Sequence, residues 1–176
     1  LEFVVADASN GSMGGAGSSE FVAISDAGED FVVVAPSGAA ANLEVACSAL
    51  EPVLDDEVSL EPVEFETPDV HTIADLEQFQ CELFPDGVPA TRQMKTLVMI
   101  AQGEAVVVLL RGDHQLNLVK LSGVLGTDDI RPAGAEETLE VMGANFGSLG
   151  PLGVKARIVA DKALEGRRGL VSGANK

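Results

Sequence analysis

The first 91 residues contain no lysine and no arginine. They hold 19 Asp or Glu, so this half carries a formal charge of −19 and is a poor partner for a phosphate backbone. Cysteine is scarce: Cys47 and Cys81 stand alone and match no metal or redox spacing, which makes them free thiols of a reducing, cytoplasmic compartment. With two histidines, His71 and His114, and no clustered ligands, the chain gives no reason to expect a structural metal. No apolar run approaches the ~20 residues that span a bilayer, and no basic segment followed by an apolar core marks a signal peptide. A membrane partner is therefore not expected.

What is present is enough to fold. The chain has 176 residues, 46% of them hydrophobic, sufficient for one domain with a core or for a domain and a fragment of another. All 11 Lys and Arg lie in residues 92–176, where 9 acids leave a charge of +2. Six of these bases (Lys155, Arg157, Lys162, Arg167, Arg168 and Lys176) fall near the end. Such asymmetry makes a phosphate-bearing partner possible for the second half only, although charge alone leaves open that these bases serve only solubility.

An acidic stretch with Pro52, Pro62 and Pro68 cannot form a long helix and reads as a linker, residues 51–66, between segments 1–50 and 67–176. Before it, strands are expected at Phe3–Ala6, Glu20–Ile24 and Phe31–Ala35, with a helix over Ala39–Leu50: a small antiparallel sheet, too short to hold a core alone. The glycine-rich Asn10–Ser19 is no phosphate loop, because no Gly-Lys-Ser/Thr follows it.

After the linker, Thr72 caps a helix through Phe79, with Asp75 three residues on and Ile73, Leu76 and Phe79 on one face. Met94–Ala101 and Ala105–Leu110, joined at Gln102-Gly103-Glu104, read as a β-hairpin. It brings Lys95 and the polar cluster Arg111–Asn117 to one end of the sheet, as a site for an anion. Asp113 is placed to cap a helix Gln115–Leu121. A strand Ile130–Pro132, a helix Ala135–Met142 with Glu136 and Glu137 at its positive end, a loop Gly143–Pro151 and a strand Ala156–Asp161 complete an α/β reading, a mixed β-sheet with surrounding helices.

Five ordered motifs carry a resemblance: Met94–Leu97, Arg111–Leu121, Gly147–Pro151, Val159–Asp161 and Gly173–Asn175. Together they resemble the insertion (editing) domain of bacterial-type prolyl-tRNA synthetases, a member of the aminoacyl-tRNA deacylase superfamily, from about Thr67 onwards. Met13–Phe21, Ala27–Asp30 and Ala40–Glu44 resemble the short antiparallel part of the catalytic domain that precedes the insertion, with Ser19 where the family often has a histidine or another polar residue. The resemblance implies post-transfer editing, the hydrolysis of Ala-tRNA(Pro). It assigns Lys95, Gly147, Gly150 and Asp161 to catalysis, and Ser148, Leu149, Pro151, Arg111, His114 and Asn117 to substrate binding.

It also implies the acceptor end of tRNA(Pro) and the rest of a dimeric, cytoplasmic synthetase as partners. Editing is expected to need no cofactor, while ATP and Mg serve the intact synthetase only. The family's ATP-binding arginine motifs are not in this chain, and neither is the histidine-containing segment expected beyond Asn175. Leu149 and Val98 are guesses for pocket walls. A freestanding Cys- or Ala-tRNA(Pro) deacylase and a catalytically silent tRNA-binding module are the alternatives.

Overall fold

The computed structural model describes residues 2–11, 17–28, 30–48, 53, 55 and 61–176. In chain order its elements are β1 (Phe3–Ala8), β2 (Ser18–Ala23), β3 (Val32–Val34), β4 (Ala40–Asn42), α1 (Ile73–Gln78), β5 (Met94–Ala101), β6 (Glu104–Arg111), α2 (Leu118–Leu125), β7 (Ile130–Pro132), α3 (Ala135–Met142) and β8 (Arg157–Ala160). They form two compact units, Leu1–Ala49 with Asn117–Asp128, and Leu50–Leu116 with Asp129–Lys176.

The first unit is a four-stranded sheet in the order β2-β1-β4-β3, together with α2. The β1/β2 and β3/β4 pairs are antiparallel, but β1 and β4 run parallel through Ala6↔Ala40 and Asp7↔Ala41. The sheet is therefore mixed, not antiparallel. The helix expected over Ala39–Leu50 is replaced by β4 and a turn. Ladder pairing takes Ala40–Asn42, and the Asn42 side chain accepts hydrogen bonds from the Glu44 and Val45 amides at 3.1 and 3.3 Å. An Asn that bonds its own downstream backbone offers the chain a turn in place of a helix. Residues 49 and 50 of that expected helix, and 12–16 of the glycine-rich segment, lie outside the described residues.

Helix α2 also departs from expectation. Its N-cap is Asn117, whose side chain accepts from the Lys120 amide at 3.1 Å, and it ends at Gly126 with φ 74°. Asp113 caps nothing there, because Arg111 holds it.

The second unit contains the sheet β7-β5-β6-β8. β5 and β6 pair antiparallel from Met94↔Arg111 to Ala101↔Glu104, with a two-residue turn. Gln102 (φ 51°) and Gly103 (φ 81°) are both left-handed, which matches the twist of a type I′ hairpin. β7 adds antiparallel to β5 and β8 adds parallel to β6, giving the expected mixed sheet.

Strand alternation sends Val98 and Ile100 of β5 and Val107 and Leu109 of β6 to one face, where they join Ala133, Met142, Ala144 and Leu149 in a buried cluster. Val106, Val108 and Leu110, on the other face, are buried too. Fully burying each such side chain contributes about 1.5–3 kcal/mol, so the hairpin is the frame on which the unit rests. α1 starts with the expected capping box: the Thr72 hydroxyl accepts from the Asp75 amide, and the Asp75 carboxylate accepts from the Thr72 amide at 2.8 Å. α3 is secured by Glu137, which accepts from the Gly134 amide and pairs with both terminal nitrogens of Arg131, and whose pKa falls to about 2 chiefly through that guanidinium.

The opposite charges of the two halves meet within this unit. Asp55, in the acidic stretch, takes Nε and Nη2 of Arg167 at 2.7 and 3.0 Å and the Arg168 amide at 2.7 Å. Both side chains of this pair are nearly inaccessible, at 4% for Arg167 and 7% for Asp55. Glu64 pairs with Lys176 at the surface. Part of the basic excess near the end of the chain thus neutralises the acidic stretch. Residues 51, 52, 54 and 56–60 of that stretch lie outside the described residues.

Candidate functional site

The strand ends that the hairpin brings together carry a polar cluster. Lys95 is the second residue of β5, opposite Leu110 of β6, and Asp161 follows β8, which runs parallel to β6. The Asp161 amide donates to the Leu109 carbonyl at 2.9 Å, which extends the ladder by one residue. Arg111 closes β6, and the turn after it supplies Gly112, Asp113 and His114.

Within this cluster most charges are already matched. Arg111 grips Asp113 through Nε and Nη2 at 2.6 and 2.9 Å. That bidentate bond raises the arginine's pKa and holds the aspartate below the usual carboxylate range. Arg111 is thus not the free anion-binding charge that its position in the sequence indicates.

His114 Nδ1 lies 3.0 Å from Asp161 Oδ2, while Asp161 Oδ1 accepts from the Ala163 amide at 2.9 Å and caps a short 3-10 turn, Lys162–Leu164. Burial works to raise the Asp161 pKa, but the Ala163 amide, His114 and Arg111 outweigh it and the net shift is downward. Both carboxylate oxygens are engaged inside the fold.

Lys95 is different. Its Nζ donates to the Gly112 carbonyl at 3.2 Å, and no carboxylate lies within ion-pair distance of it among the described residues. Partial burial pushes its pKa down, opposed by the more distant Asp113. A lysine held half-buried by a carbonyl alone keeps its charge available to an incoming anion.

The loop Gly147–Pro151 forms a second cluster. Gly150 is buried and could be no other residue, since a Cβ there would lie 1.7 Å from the Gly173 carbonyl oxygen. A Cβ on Gly173 would in turn meet the Ser148 and Leu149 carbonyls at 2.3 and 2.4 Å. Asn175, at φ 58°, makes four hydrogen bonds to this loop and the residue after it. Its amide donates to the Ser148 carbonyl at 2.8 Å, its Oδ1 accepts from the Gly150 amide at 2.9 Å, and its Nδ2 donates to the Gly150 and Leu152 carbonyls at 3.0 Å. The Gly150 N–H is therefore not free for an oxyanion.

Ser148 turns both its amide and its hydroxyl to the Asn145 carbonyl. The Gly147 and Leu149 amides have no hydrogen-bond partner among the described residues. The Leu149 and Val98 side chains lie in the buried core cluster. Pro151, at the end of the loop, is half-buried.

The two clusters are linked through the end of the chain. Val171 bridges Gln93 in parallel, its carbonyl accepts from the Met94 amide at 2.8 Å, and Gly173–Asn175 then runs along the loop. Lys95 is two residues beyond Gln93 of that bridge. By alternation its side chain leaves the sheet on the face opposite the core cluster that holds Leu149. No hydrogen bond joins Lys95 to the loop.

Of the residues expected in the site, Asn117 is used elsewhere: it caps α2 and donates to the Leu43 carbonyl at 3.0 Å in the first unit. One residue beside the loop was not expected. His71 packs against Gly147, and nothing in the sequence beyond its chemical type announces this, because 76 positions separate the two.

Comparison with known proteins fits this geometry. The profile of the aminoacyl-tRNA editing domain family matches residues 67–176. A proline-tRNA ligase of Anaeromyxobacter dehalogenans is 45% identical over 178 residues, covering 100% of this chain and 30% of the relative. One of Geotalea daltonii is 38% identical over 176 residues, covering 99% of this chain and 30% of the relative. The chain thus spans about 30% of the length of the curated relatives it matches. A crystal structure described as a hypothetical protein aligns with a TM-score of 0.50 at 26% identity, over 60% of this chain and 68% of its own. With its family profile covering the whole of the segment from residue 67 onwards, the chain belongs to the aminoacyl-tRNA editing domain family.

Proposed function

We propose that this chain is the editing part of a proline-tRNA ligase and hydrolyses the ester that joins alanine to the 3′-terminal ribose of tRNA(Pro). The observation that carries the reading is Lys95, a partly buried ammonium bonded to a carbonyl and with no acid in ion-pair distance among the described residues, at a sheet end belonging to a tRNA-editing fold. An aminoacyl ester is already activated, so catalysis needs orientation, a placed water and stabilisation of the developing oxyanion more than a covalent nucleophile.

Lys95 supplies the charge that holds the terminal phosphate or ribose. The Gly147 and Leu149 amides, the two in the loop without a partner among the described residues, are the donors for the ester carbonyl. Attack is by water, with the 2′-hydroxyl of the terminal ribose able to assist, and the alanine leaves with its carboxylate while the ribose oxygen takes the proton. No cofactor enters this reaction. Asp161 and His114 hold the end of β8 and the turn after β6 in register around Lys95, and Arg111 does the same through Asp113.

A second site of this kind has a clear physical purpose. A proline pocket discriminates against the smaller alanine by only about 1–3 kcal/mol per missing methylene, so a later step that admits alanine and excludes proline is needed. The partners are then the acceptor end of tRNA(Pro) and the remainder of a dimeric, cytoplasmic ligase, to which ATP and Mg belong. No helix among the described residues is long and apolar enough to cross a membrane.

The test is to incubate the chain with Ala-, Cys- and Pro-tRNA(Pro) and follow amino-acid release. Release from Ala-tRNA(Pro) with Pro-tRNA(Pro) spared is the expected result, and faster release from Cys-tRNA(Pro) moves the specificity. No release from any of them, with tRNA still bound, makes the chain a silent tRNA-binding module and ends the hydrolytic reading.

A further inference from the structure

His71 lies just before the N-cap of α1, and its backbone amide donates to Asp75 Oδ2 at 3.1 Å, so its Cα is fixed by the same carboxylate that completes the capping box. Its ring meets the editing loop. A Cβ built on Gly147 would lie 3.0 Å from His71 Nδ1, 3.2 Å from its Cβ and 3.4 Å from its Cγ. Gly147 is also left-handed, at φ 97°. Two separate constraints thus require glycine at this position: the backbone angle and the imidazole occupying the space a side chain would take.

The loop is held at its other end by Asn175 and Gly173. Its first residue has no comparable tie. Gly147 is exposed, and its amide has no partner among the described residues. Besides the Ser148–Asn145 hydrogen bond that spans it, Gly147 meets the His71 ring. A loop that presents amide donors to a developing oxyanion depends on their direction within about 1 Å.

We infer that His71 is a positioning residue for the editing reaction: its ring buttresses Gly147 and thereby aims the loop amides of Gly147 and Leu149. The inference rests on the hydrolytic reading above. It assigns no proton transfer to the imidazole, only volume and contact, so a ring of similar size serves in its place.

The full chain and its variants are assayed with Ala-tRNA(Pro), and amide hydrogen exchange is followed at Ser148 and Gly150, whose N–H groups are bonded within the loop. His71→Ala is expected to lower kcat about tenfold with KM little changed, and to speed exchange at Ser148 more than at Gly150. His71→Phe restores most of kcat. In a double-mutant cycle, Gly147→Ala is less harmful on the His71→Ala background than alone, because the ring it would strike is gone. A wild-type kcat in His71→Ala, additive effects in the cycle, or unchanged exchange at Ser148 would overturn the inference. If the wild-type chain releases nothing while His71→Ala still speeds exchange at Ser148, the hydrolytic reading fails and the buttress stands.

Discussion

Both sheets have four strands, both are mixed and both contain a hairpin, yet they treat apolar side chains in opposite ways. β6 buries five consecutive residues, Val106–Leu110. In the sheet of the first unit the large residues Phe3, Phe21, Phe31 (just before β3) and Val33 are 55%, 77%, 75% and 49% exposed, and the buried ones are the small Ala6, Ala8 and Ala40. A strand rich in Val and Phe does not make a core by itself. It needs a layer on each face, and the second unit has α3 and the loop residues Ala144 and Leu149 against one face of its sheet. The function proposed here sits on the sheet whose strands are fixed by burial, where a side chain can be held to a fraction of an ångström.

The largest effect that would sharpen this contrast is on activity. Lys95→Ala is expected to lower Ala-tRNA(Pro) hydrolysis about a hundredfold or more with the melting temperature nearly unchanged, since the ammonium's one bond is to a carbonyl. An intact rate in that variant removes Lys95 from the mechanism. Because burial lowers the Lys95 pKa, its charge is lost at a lower pH than an ordinary lysine's. The rate, corrected for spontaneous ester hydrolysis, is therefore expected to have an alkaline limb below the usual lysine range, and Lys95→Arg should move that limb upward.

Matched glycine substitutions come next. Gly150→Ala drives a methyl into the Gly173 carbonyl and is expected to cost about 3 kcal/mol or more. Gly38→Ala in the first unit has open space around it and bears only the penalty of its φ of 89°, about 1–2 kcal/mol. Equal losses in denaturant unfolding would mean that Asn175 and Gly173 do not clamp the loop. A third pair contrasts the sheets directly. Val107→Ala, at 0% exposure, should cost about 2–3 kcal/mol, whereas Phe21→Ala should stay within about 0.5 kcal/mol. A comparable loss for Phe21→Ala would show that its ring is covered in solution.

A loss smaller than that at Val107 is expected for the ion pair between the acidic stretch and Arg167. The Asp55 pKa is lowered, first by the bond from Arg167. Its folded pKa lies below its unfolded one, so the stabilisation is full above the ordinary carboxylate range and disappears as pH falls through the folded value. Asp55→Asn is expected to lower stability by about 1–2 kcal/mol at neutral pH, because the amide keeps the side chain's volume and one oxygen to accept from Arg167 while losing the charge. The difference from wild type should close on acidification. A difference that persists at low pH would assign the loss to packing and not to charge.

Much of the second unit was legible in the sequence. The hairpin follows from Gln102-Gly103-Glu104 between two apolar runs, α1 from Thr72 and Asp75, and α3 and β7 from periodicity and flanking residues. These depend on neighbours a few positions apart, which a linear pattern records. The first unit was read less well because short strands compete with other local structures: Ala40–Asn42 has helical composition, but pairing with β1 and β3 and the turn made by Asn42 decide otherwise. The candidate site was legible as a set of residue types and not as a set of partners. Lys95 and the glycine loop stand out in the sequence, while the engagement of Arg111 by Asp113, of Asp161 by His114 and of the Gly150 amide by Asn175 does not.

The residue sequence by itself therefore determined the β5–β6 hairpin, the cap of α1 and the family to which the chain belongs, because these reside in local spacing and in ordered motifs. Tertiary structure alone decided which charges and amides remain available. That depends on contacts between positions as far apart as His71 and Gly147 or Asp55 and Arg167, and only the folded chain brings such groups within hydrogen-bond or van der Waals distance.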